Sequence, residues 1–96
     1  MTNEIIQSVA RSAAEIRILA DGTDDPKFER KLRAAKKILS DSLPVAGMSV
    51  SADAGDLDVN VIAADLERSF RALCAEEQYK AAHVVNRALA ALTLVD

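Results

Sequence analysis

Residues 75–82 read Ala75-Glu76-Glu77-Gln78-Tyr79-Lys80-Ala81-Ala82, and how this octet is read decides the fold. Apolar residues recur at helical spacing on both sides of it. Ile62, Leu66, Phe70 and Leu73 precede it, Ala81 lies at its end, and Val84, Ala88, Leu92 and Val95 follow. Taken straight through, the series keeps one helical repeat, and only Glu77 breaks it. A continuous helix over residues 59–94 would be about 54 Å long at about 1.5 Å per residue. It would overhang a globule whose radius of gyration should be about 13 Å for a chain of this length. Its exposed stripe would then need a second chain. A turn at Glu76-Glu77-Gln78 instead produces four helices of similar length, which close an antiparallel bundle unaided. The four-helix all-α bundle is the expected fold. The alternative is three helices with a long C-terminal helix, assembled as a homodimer.

The octet resembles the inter-helix turn of tetratricopeptide-like hairpins, where a tyrosine opens the second helix and a small residue follows three positions later. Tyr79 and Ala82 match that spacing. The resemblance is confined to this short stretch, with Glu77 where glycine is usual and the Ala88-Leu89 pair one position early. No second copy follows at the roughly 34-residue repeat of that family. What the resemblance implies is a turn.

Upstream, a first helix is expected over residues 3–20. Ile5, Val9, Ser12, Ile16 and Leu19 form its stripe, widened by Ile6, Ala13 and Ala20. Thr2 can cap it, with Met1 and Ile6 as a hydrophobic staple, and Gly22 is expected to end it in the left-handed conformation. A second helix is expected over residues 26–42. Asp25 serves as N-cap, Pro26 takes the first helical position, and Pro44 forces its predecessor out of helical geometry. Phe28, Leu32, Ala35, Leu39 and Leu43 form its apolar face. Residues 44–57, PVAGMSVSADAGDL, read as one irregular loop. The third helix is expected over 58–76, capped by Asp58 with Leu57 and Ile62 as staple, and the fourth over 79–94.

The 96-residue chain has room for one domain, and its many alanines against three glycines and two prolines favour helices. No apolar run approaches the roughly 18 residues of a membrane span. The N-terminal stretch MTNEIIQSVARSAAE lacks the basic region of a secretory signal. A single cysteine, Cys74, forms no internal disulfide, so a cytoplasmic setting is expected.

Net charge is −3, too mild to imply a polyanionic partner by itself. The distribution says more. Lys27, Arg30, Lys31, Arg33, Lys36 and Lys37 crowd the second helix, against Glu29. These six are the candidate partner-binding residues. They surround the whole arc that the apolar stripe leaves free, and no exposed aromatic on that helix joins them for base stacking. An acidic protein surface is therefore the expected partner, with nucleic acid the alternative.

Other chemistry is thin. His83 lies off the core stripe beside Tyr79, Lys80 and Arg87; a phosphotransfer histidine would need lysine and glycine where Asn86 and Arg87 stand. Cys74 and His83 point to different helical faces, so no dyad is expected. Asp56, Asp58, Asn60 and Glu67 match calcium-loop positions 1, 3, 5 and 12, but Val61 replaces the obligatory glycine. Glu77 has no catalytic companion at helical spacing. No catalytic residue, cofactor or metal is expected. The expected function is a non-enzymatic protein-binding module: an adaptor, a chaperone or a small inhibitor of a larger macromolecular complex, of the sort bacteria and their phages encode.

Overall fold

Residues 76–78 do break the C-terminal helical stretch. The computed structural model describes residues 2–43, 45 and 57–93, which form α1 (Thr2–Gly22), α2 (Pro26–Ser42), α3 (Val59–Ala75) and α4 (Tyr79–Thr93). No strand occurs among the described residues. The break has a defined geometry. Glu77 adopts φ 59°, the left-handed conformation. The Gln78 N–H donates to the Leu73 carbonyl at 2.8 Å, and the Glu77 N–H to that of Cys74 at 3.1 Å. This pair of bonds is the Schellman arrangement, which satisfies the last carbonyls of a helix. Gln78 then opens α4, its carbonyl accepting from the Ala82 N–H at 2.9 Å.

The three-helix alternative therefore falls. An unbroken helix of about 54 Å would also exceed the molecule's longest extent of 38 Å, and the radius of gyration is 12.3 Å. Short connections make α1/α2 and α3/α4 antiparallel hairpins. α1 packs on α2 and α3, and α4 packs on the same two. The pairs α1/α4 and α2/α3 are thus the diagonals of a four-cornered bundle.

Local chemistry accounts for most of the ends. The Asp25 carboxylate accepts from the Lys27 N–H at 3.0 Å and the Phe28 N–H at 3.5 Å. Thr23 Oγ1 in turn accepts from the Asp25 N–H at 3.2 Å. Asp58 caps α3 by accepting from the Asn60 N–H at 2.8 Å. Leu43 ends α2 in extended geometry (φ −128°, ψ 151°), the region to which a following proline confines it. Gly22 departs from expectation. It is the last residue of α1, and no described glycine has positive φ. The chain leaves α1 through residues 23–25 toward the Asp25 cap, so no left-handed residue is needed there.

The core is built from Val9, Ile16, Leu32, Leu39, Ile62, Leu66, Leu73 and Val85, all essentially inaccessible. Burying each aliphatic side chain of this kind stabilises by about 1.5–3 kcal/mol. The single stripe through the octet is corrected on two points. In α4 the buried residues are Ala82, Val85, Ala88 and Leu92, with Ala81 and Val84 only half-buried, because the turn restarts the helical phase. In α3 Ser69 is buried and Phe70 half-buried. Val45, placed in the irregular loop by sequence, is buried against the core. The rest of residues 44–56, the Met1 staple, the Thr2 cap and Val95 lie outside the described residues or side chains.

Candidate functional site

The six cations of α2 do not form one uniform solvated set. Lys27, Arg30, Arg33 and Lys37 are exposed, whereas Lys31 and Lys36 are half-buried on the flanks of the helix. Arg33 is already engaged by partners within the chain. Its guanidinium lies 2.7 Å from Glu29 on the same helix and 3.2 Å from Asp21 at the end of α1. The hydrogen bond to Glu29 first, and that to Asp21 second, raise its pKa further above an already high ordinary value. Asp21 is shared with Arg17 at 3.9 Å. Arg33 thus ties α2 to α1, and Lys31 also has a partner.

The fold adds exposed charge on a neighbouring helix, which the sequence reading missed. α4 packs beside α2, and its exposed residues include Tyr79, Lys80, His83 and Arg87. Eight of the chain's twelve Lys and Arg residues lie on α2 and α4, where the acids are Glu29 and Asp41. α1 and α3 hold the other four, beside five acids. Pairing sharpens the contrast. Arg17 pairs with Asp21, Arg68 with Asp65, and Arg71 with Glu67 at 3.0 Å, all on α1 or α3. Lys27, Arg30, Lys36, Lys37, Lys80 and Arg87 make no ion pair with any described residue. The signal for the α4 charge is present in residues 79–93, which contain two cations and a histidine but no acid.

The remaining candidates separate. Cys74 is half-buried on α3, while His83 is exposed on α4. Asp58 is engaged as the α3 cap and Glu67 by Arg71, and Asp56 lies outside the described residues. Among the described residues no three His, Cys, Asp or Glu side chains gather where a metal ion could sit. No helix among them is long and apolar enough to cross a membrane. Glu77, exposed at the turn, serves the chain reversal. What the exposed cations of α2 and α4 can do is attract and hold negative charge. No protein family, curated protein or solved structure matches the chain.

Proposed function

We propose that the protein is a non-enzymatic protein-binding module, an adaptor, chaperone or small inhibitor of a larger complex, that docks an acidic protein surface on its α2/α4 face. One observation supports this reading: the cations without an ion pair on these two neighbouring helices, in a chain of net charge −3. Exposed charges do little for folding stability, so their concentration needs another use. Facing an acidic partner they would speed encounter and fix its orientation. A half-buried lone cysteine agrees with a cytoplasmic setting.

Nucleic-acid binding is the second reading, and Tyr79 favours it. The residue is 63% exposed and opens a helix that carries Lys80 and Arg87, which is the pairing of aromatic and cation that stacks bases and tracks phosphates. An affinity pull-down from nuclease-treated lysate of the native host, read by mass spectrometry, tests the first reading. Wild-type protein should enrich a partner that a Lys27→Glu, Arg30→Glu, Lys37→Glu variant does not. A partner retained equally by that variant refutes the assignment of this face. Enrichment lost on nuclease treatment, with duplex binding that falls steeply with salt, supports the second reading instead.

A further inference from the structure

A separate feature lies on the side of the bundle away from the basic face, where α1 meets α3. Ser12 and Ser69 are the two polar residues buried in the described structure, at 1% and 6% exposure. Helical hydroxyls commonly donate back to a carbonyl one turn earlier. Ser8 does so to Glu4 and Thr93 to Leu89. Ser12 and Ser69 have no hydrogen-bond partner among the described residues. No side-chain oxygen in the described structure is both sealed from solvent and unbonded. Both hydroxyls therefore keep some access to solvent, and both residues line a groove of about 330 Å³.

The groove is furnished for a negative group. Arg11 and Arg68 stand on its two walls. Arg11 makes no ion pair with a described residue, and Arg68 pairs with Asp65, which offsets the one carboxylate that lines the site. Hydroxyl- and guanidinium-bearing residues lining one space match an oxyanion, which can accept from both kinds of donor. Ile5 and Ala72 supply an apolar wall beside these donors. The geometry points to a binding site in the α1/α3 groove for a small organic oxyanion, a phosphate ester or a carboxylate, with Ser12, Ser69, Arg11 and Arg68 as the donors.

The test is a ¹H–¹⁵N NMR titration of the full chain with inorganic phosphate and, separately, with acetate. Ionic strength is held constant against sodium chloride. The expected result is a saturating shift confined to α1 and α3, centred on Ser12 and Ser69. Arg11→Gln should weaken it about tenfold or more, as loss of a charge-assisted bond does. Ser69→Ala should weaken it too, and the dispersion of its spectrum reports whether it folds. Should it not fold, the exposed Arg11 carries the test alone. Saturation by phosphate alone assigns a phosphate ester, and saturation by acetate alone a carboxylate; saturation by both supports the oxyanion site in general. Shifts that chloride reproduces, that gather on α2 and α4, or that Arg11→Gln leaves unchanged overturn it.

Discussion

Replacing Glu77 with glycine should stabilise the protein, and the sign of the effect separates the two architectures that the sequence allows. Glu77 sits at φ 59°, where its Cβ crowds the following carbonyl. An L-residue in this conformation costs roughly 1–2 kcal/mol, and glycine escapes that cost. Glycine loses more chain entropy on folding, roughly 0.5–1 kcal/mol. The net gain centres on about 0.75 kcal/mol, a rise in Tm of roughly 3–6 °C for a domain of this size. If residues 59–94 formed one helix, the same change would put glycine in its interior and cost about 1 kcal/mol. Charge contributes little to the comparison. The carboxylate follows the C-terminus of α3, where it is unfavourable, and precedes the N-terminus of α4, where it is favourable. Glu77→Ala keeps the Cβ and removes the charge, so it should leave Tm nearly unchanged. Thermal unfolding followed by circular dichroism on the three proteins is sufficient. A lower Tm for Glu77→Gly, or an equal gain from Glu77→Ala, would refute the strain argument.

Gly22→Ala should raise stability by about 0.5–1 kcal/mol, because the site is helical and an added Cβ meets nothing within 4 Å; urea denaturation midpoints would show it. Leu66→Ala and Leu73→Ala should each cost about 2–5 kcal/mol by the same measurement, and half-buried Phe70→Ala less than either. Unchanged midpoints for both leucines would mean that the α3 stripe faces something other than this core. Arg33→Glu should lower Tm, since it turns two attractions, to Glu29 and Asp21, into repulsions. The triple reversal of Lys27, Arg30 and Lys37 should leave Tm near native, and a large loss there would show that these cations serve the fold.

The helices are legible in the sequence because each carries a strong period, and α2 is bounded well because its end signals act locally. Asp25 caps by accepting from the N–H groups two and three residues on, and Pro44 acts on Leu43 alone. Gly22 misleads because a glycine near a helix end permits the left-handed conformation without requiring it. The phase of α4 misleads for a different reason. Ala81, Ala82, Val84 and Val85 offer two adjoining apolar stripes, and the choice between them depends on how the Glu77 turn aims the helix at α2 and α3. That is a tertiary quantity, and so is the burial of Ser69, which a polarity pattern assigns to solvent.

The basic arc of α2 can be read from a helical wheel, but its standing as a site depends on which cations the fold consumes and which it leaves. Arg33 is consumed by Asp21, 12 residues earlier and on another helix, a contact that only the α1/α2 hairpin creates. Lys80 and Arg87 are added because α2 and α3 stand on a diagonal, so that α4 rather than α3 becomes the neighbour of α2. Both effects follow from which helices neighbour α2, α1 on one side and α4 on the other, and they move the candidate residues from a single helix to two. The move also changes what would fit them. A lone basic helix suits a groove, whereas exposed cations on two neighbouring helices, Lys27, Arg30 and Lys37 on one and Lys80 and Arg87 on the other, can meet a wider acidic surface. A partner that engages both sets needs acids opposite each, so a charge reversal on α2 combined with one on α4 should weaken its binding more than either alone.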